Sequence, residues 1–326
     1  MKTSTSKRLR WNVAIWLAAG LFMTGAAGMA SGPILPDPKA EARHQPQVEE
    51  TANGIPLVNI TAPSSGGVSR NEYETFNVPD KGAILNNSYT LSKTELAGYV
   101  QGNNNMAERP AKIIVNEVTG AGSTSMDGFL EVAGNRADVV IANPNGITVN
   151  GGGFINTGKA FLTTGKPVYD GEDHLQRFDI TGGDILIEGK GLGGKETGSL
   201  AILSRAVKIN AGIWAKDLHI TTGANTVDAK TLEASAIEGK GGRPAFALDT
   251  AAIGGMYAGR ITLVGTEKGL GVNNSGTWSA EDNLTLDWNG DLKNSGTIYS
   301  KGNTDLRASH LENDKTIAAG KDITIS

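Results

Sequence analysis

Asp170-Gly-Glu172-Asp173-His174 is the densest run of potential metal ligands in the 326-residue sequence. Oxygen-rich loops can hold Ca²⁺, but the EF-hand spacing is missing, and the run reads more simply as a solvated loop between strands. Gly189-Lys-Gly-Leu-Gly-Gly194-Lys195-Glu196 approaches a phosphate-binding loop. It places an acid where the Mg²⁺-binding hydroxyl must stand, and it follows Ile185-Leu-Ile187 without opening a helix, so it reads as a long corner. Asp127, Glu131 and Asp138 are close enough in sequence to raise glycoside chemistry, which needs two carboxyls facing across a cleft. His44, His174, His219 and His310 form no H-x-x-x-H pair, and no G-x-S-x-G elbow occurs. With no cysteine, disulfides and thiolate metal sites are excluded. No cofactor is expected.

The elements that would position such groups are short strands joined by many corners. Gly accounts for 44 residues and Pro for only 11, while hydrophobic residues make up 39%, enough to fill a core. Lys2, Lys7, Arg8 and Arg10 precede an apolar run from Trp11 to Gly25, and Gly28-Met29-Ala30 offers small residues for cleavage. Residues 1–30 therefore read as a secretory signal peptide engaging the general secretion machinery, in preference to an uncleaved anchor. Its removal takes four basic residues and shifts the net charge from −4 to −8, which argues against nucleic acid as a partner.

Residues 31–54, rich in Pro, Glu and Gln, read as a flexible lead-in. From Ile55 onward short strands recur, and nearly every gap between them holds Gly or Asn. Ser92–Ala97 reads as a single helical turn. Asn274-Ser-Gly-Thr277 returns as Asn294-Ser-Gly-Thr297 and as Asn313-Asp-Lys-Thr316, with Leu284–Leu286, Thr304–Leu306 and Ile323–Ile325 following in phase. A period near 20 residues is the mark of a solenoid whose repeats bury their apolar faces on each other. The expected fold is all-β, a right-handed single-stranded parallel β-helix (a pectin-lyase-like solenoid) with small β elements outside the helix. At about 20 residues per coil, residues 55–326 make roughly 13 coils and a rod on the order of 60 Å long. Because the sequence stops at the end of a strand, it is expected to be the N-terminal part of a longer rod.

Asp138–Pro167 reads as strand, turn, strand, glycine corner at Gly151–Gly153, strand. In its first turn Pro144 presets φ, Asn143 and Asn145 suit turn conformations, and Gly146 takes positive φ before Ile147 resumes the strand. Asparagines stacked in register could also form inward amide ladders.

Asn143-Pro-Asn-Gly-Ile147, with Asn150 and Gly153-Phe-Ile-Asn-Thr157, resembles the signature of the two-partner secretion domain of filamentous-haemagglutinin-like adhesins and contact-dependent growth-inhibition toxins. Ile84-Leu-Asn-Asn-Ser88, Gly98-Tyr-Val-Gln-Gly102, Ile114-Val-Asn-Glu-Val118 and Gly255-Met-Tyr-Ala258 are similar too. The likeness spans residues 55–272, and 273–326 looks like the start of the haemagglutinin-type repeats. Where the family carries Asn-Pro-Asn-Leu, this chain has Asn103-Asn104-Asn105-Met106 and lacks the proline.

The resemblance implies a secretion-targeting module without catalysis of its own. It would be read by the periplasmic modules of an outer-membrane β-barrel transporter, with Asn103, Asn105, Met106 and Asn143–Ile147 as its turn-forming or recognition signature. It further implies passage through the periplasm to the surface of a two-membrane bacterium. Regions beyond the domain would engage a host or neighbouring cell. A secreted β-helical polysaccharide lyase or hydrolase and an autotransporter passenger are the alternative readings.

Overall fold

The computed structural model describes residues 32–107 and 109–326; the expected signal peptide, 1–30, lies outside them. From Pro56 onward, short strands turn alternate side chains inward and pair in parallel with strands one coil before and after. The first face runs from Pro56–Asn59 and Ala83–Asn87 through Phe129–Gly134 to Thr316–Ala319. The second runs from Val68–Phe76 and Ile113–Val118 through Ala137–Ala142 to Ile323–Ile325. Eight strands form the third, from Thr124–Met126 through Ile147–Val149 to His310–Asn313. Gly212–Thr222 and Gly255–Gly265 are long enough to bend from the first face into the second.

These pairings make a parallel β-helix, as expected. Crossovers between parallel strands of one sheet are right-handed almost without exception. Among the described residues both the first and the second face contain ten successive strands, which makes ten coils rather than 13. At strand spacing near 4.8 Å the stack is roughly 45 Å long. The shortfall has a physical cause. Three coils carry insertions that build other elements, after Ala83–Asn87, Thr157–Thr163 and Gly212–Thr222, and the last coils keep the period: Asn274 pairs with Asn294 and Asn294 with Asn313.

Inward residues form one continuous core, with Phe154, Leu130, Ile185, Ile213, Met256 and Trp278 all at most 1% exposed. Each such aliphatic side chain contributes roughly 1.5–3 kcal/mol by leaving water. The outer surface of the first face is covered by a hairpin, Ser92–Thr94 with Gly98–Val100, which buries Ile84 and Ala133 under Val100 and Leu96. An antiparallel sheet of Lys166–Tyr169, Leu175–Ile180, Asn225–Asp228 and Ala234–Ala236 covers the second. Its Phe178, Ile180 and Val227 pack on Val115, Val140, Phe161 and Leu203.

Three expectations are corrected here. Residues 31–54 are not a loose lead-in: Ile34–Pro36 pairs antiparallel with Val68–Phe76, and Gln47–Glu50 with Pro56–Asn59. Together they cap the first coil, whose strand edges would otherwise be open. Ser92–Ala97 is half of a hairpin and not a helical turn, because the Glu131 carboxylate accepts the N–H groups of Glu95 and Leu96 at 2.7 and 2.9 Å. In the Gly151–Gly153 corner only Gly151 has positive φ (+99°), and Gly152 already begins a strand.

Candidate functional site

The Asn143–Ile147 corner joins the second face to the third. Asn143 is fully buried, and its Oδ1 accepts the Asn145 N–H at 2.9 Å while its carbonyl accepts the Gly146 N–H at 3.1 Å. The Asn143 amide donates to the Gly122 carbonyl at 2.9 Å and to Thr124 Oγ1 at 3.0 Å, one coil earlier. Asn145 donates from Nδ2 to the Gly120 carbonyl at 2.8 Å. Gly146 sits at φ +112°, and a Cβ there would come within 3.0 Å of the Asp184 carbonyl, so the coil that follows presses on it as well. Ile147 points into the core at 1% exposure, leaving Pro144 and Asn145 on the surface.

Asn103–Met106 lies at a different corner, between the covering hairpin and Ile113–Val118, and repeats the same bonds. Asn103 Oδ1 accepts the Asn105 N–H at 3.0 Å and its carbonyl accepts the Met106 N–H at 3.1 Å. Its amide donates to the carbonyls of Ile60 and Asn86 at 2.9 and 3.0 Å, and Asn105 Nδ2 also reaches the Ile60 carbonyl, at 3.1 Å. Met106 fills the core at 1% exposure. Asn104, standing where Pro144 stands in the other corner, is exposed and opens a short 3-10 turn, Asn104–Met106. The first asparagine of each motif is therefore a buried clamp on the preceding coil, and the residue after it faces solvent, joined in the first corner by Asn145.

The other sequence candidates are dispersed. Glu131 is on the first face and Asp138 on the second, where Asp138 accepts the Lys159 N–H at 2.7 Å. Burial pushes both carboxyls upward. Asp170 is engaged by its own turn, accepting the N–H groups of His174 and Glu172, and these bonds lower its pKa. The phosphate-loop lookalike is not one long corner: Leu192–Gly194 within it is a first-face strand.

A cluster with no signature in the sequence lies under the N-terminal cap. His44 Nδ1 is 3.0 Å from Glu72, whose carboxylate meets Arg70 at 2.9 Å, and Arg70 lies 3.4 Å from Glu117 and 4.4 Å over the Tyr169 ring. Burial lowers the His44 pKa, helped by the Arg70 charge, and burial raises that of Glu117. Arg43 adds a 2.7 Å pair to Asp173. These groups join cap, first two coils and covering sheet. They come from four separated segments, so no local pattern announces them.

Comparison with known proteins agrees with this architecture. The TPS secretion domain family matches residues 33–298. The chain is 43% identical over 298 residues to a protein named toxin CdiA from Yersinia pestis, covering 84% of this chain and 9% of that one. It is 43% identical over 302 residues to 16S rRNA endonuclease CdiA from Enterobacter cloacae subsp. cloacae, covering 91% of this chain and 9% of the relative. The chain thus spans about a tenth of the length of these curated relatives. The crystal structure of a filamentous hemagglutinin secretion domain superposes with a TM-score of 0.81 at 31% identity, covering 90% of this chain and all of that one. The cap, the first eight coils and both covering elements fall inside the matched residues, and the chain belongs to the TPS secretion domain family.

Proposed function

We propose that this domain is the secretion-targeting module of a large exoprotein, an adhesin or a contact-dependent inhibition toxin, and that its activity on other cells resides outside residues 1–326. The signal peptide delivers the chain to the periplasm through the general secretion machinery. There the periplasmic modules of a cognate outer-membrane β-barrel transporter read it, and it folds at the cell surface after crossing the pore. The domain itself carries out no catalysis.

The observation that carries this reading is the extent of the family match, 33–298, over the residues that form the cap and nearly all of the coils. The structure adds a physical rationale. Asn103, Asn105, Asn143 and Asn145 bond back to carbonyls of earlier coils, so each coil is completed on the one before it. Such a chain gains free energy as it emerges in N-to-C order, without nucleotide hydrolysis.

The test is to produce the domain with its cognate transporter and measure secreted against cell-associated protein. Asn143→Ala and Asn145→Ala are expected to cut the secreted fraction far more than total expression. Export at the wild-type level would overturn the role of this corner, and export unaffected by loss of the transporter would overturn the function.

A further inference from the structure

The hairpin covers the first face only over its early coils, and beyond its edge the outer surface is open. One register position can be followed along it: Phe129 pairs with Gly153, Gly153 with Gly193, Gly193 with Trp214, and Trp214 with Tyr257. Phe129 and Tyr257 are 42% and 39% exposed, and with Trp214 they put three large rings in one register row. Trp214 and Tyr257 stack with centroids 6.2 Å apart and planes 16° from parallel.

The glycines between the rings differ in purpose. A Cβ on Gly153 would come within 2.4 Å of the Phe129 ring, so that glycine lets Phe129 lie down. A Cβ on Gly193 would meet nothing closer than 3.7 Å, and Gly193 is not among the positive-φ glycines. Neither packing nor backbone conformation requires glycine there. What it leaves is a slot of about 280 Å³ between Phe129 and Trp214, rimmed by Lys195 and Glu196.

This slot is the middle of a longer groove. Through Glu196 it joins a polar hollow of about 910 Å³ bordered by Ser92, Thr94 and Asn156. Through Trp214 and Lys195 it joins a hollow of about 450 Å³ containing Tyr257 and Ser279.

We propose that this groove binds a neutral oligosaccharide chain. Sugar rings present apolar C–H faces that stack on aromatic rings and hydroxyl edges that need both donors and acceptors, and the groove supplies the two in alternation. Its charges balance: Lys93, Arg136, Lys195 and Lys216 are matched by Glu95, Glu131, Glu196 and Glu281, which disfavours a polyanion. An extended peptide has no strand edge to join, because the backbone groups of this face are already paired in the ladder. From Phe129 to Tyr257 the row covers four coil steps, roughly 19 Å, enough for several linked rings.

The proposal stands independently of the transporter reading. It is tested by titrating the purified chain with maltohexaose, cellohexaose, laminarihexaose and chitohexaose, following tryptophan emission and binding heat, with a heparin hexasaccharide as the anionic comparator. At least one neutral hexasaccharide is expected to bind and to perturb tryptophan emission. Trp214→Ala, which removes the platform, and Gly193→Leu, which fills the slot, should each weaken it at least about tenfold. The Gly193→Leu chain should keep its thermal unfolding profile. No binding by any of the four at millimolar concentration would overturn the proposal. So would preference for the heparin fragment, or undiminished binding by both variants. If the transporter's periplasmic modules bind here instead, and Gly193→Leu blocks them but no sugar, the groove belongs to the transporter and the proposal falls.

Discussion

At the scale of single residues, the two asparagine corners are one device built twice, once with proline and once without. Asn103 has φ −82° and ψ 116°, the extended conformation that a residue before proline prefers, and Asn104 opens the 3-10 turn, where a missing N–H costs least. Asn104→Pro should therefore stabilise the domain by about 0.5–1 kcal/mol, mainly by restricting the unfolded chain. Urea denaturation would read this as a higher midpoint at unchanged slope; a lower midpoint would mean that the corner needs a freedom proline denies. The turn character of both motifs was legible because asparagine, proline and glycine encode it locally. The clamp was not. The partners of Asn103 and Asn143 are backbone carbonyls of Ile60, Asn86 and Gly122, which any residue type supplies equally.

At the scale of elements, the N-terminal cap is where sequence reading and structure part most. Gln47–Glu50 has three exposed residues out of four and no apolar alternation, so its composition looks like that of a loose segment. It is held by antiparallel backbone bonds to Pro56–Asn59 and by the His44–Glu72 and Arg43–Asp173 pairs, none of which leaves a periodic trace. Deleting residues 32–50 should uncover the first-coil strands Pro56–Asn59 and Val68–Phe76 as unpaired edges. The shortened chain is expected to self-associate in proportion to its concentration in size-exclusion chromatography with light scattering, while the intact chain stays monomeric. A shortened chain that remained monomeric at every concentration would show that the first coil protects its own edges. The hairpin departs from its expected helical turn for a related reason: Ser92–Ala97 has acceptable helical composition, and a distant carboxylate, Glu131, decides the matter.

For the molecule as a whole, the stacked repeat was the most legible feature, since Asn274, Asn294 and Asn313 occupy one register in successive coils as their 20- and 19-residue offsets require. The coil count was not legible, because insertions such as the two that form the covering sheet change coil length without changing the stack. A stack of this kind is nearly one-dimensional: each coil touches its neighbours, and disturbance should stay near its source. Asn294 offers a direct test. Its Oδ1 accepts from Asn274 Nδ2 at 2.8 Å and from the Gly296 N–H at 3.3 Å, and its own amide donates to Asn313 Oδ1 at 2.6 Å. Asn294→Ala removes the acceptor of two buried groups, the Asn274 amide and the Gly296 N–H, at a cost of about 2–3 kcal/mol. Under nearest-neighbour coupling, amide hydrogen exchange should accelerate in Gly271–Asn274, Thr297–Ser300 and Thr316–Ala319. Exchange in Ile113–Val118 and Ala137–Ala142, several coils away, should stay at the wild-type rate. Equal acceleration throughout would mean that the rod opens as a single cooperative unit, and the coil-by-coil folding on which export would draw would lose its physical basis.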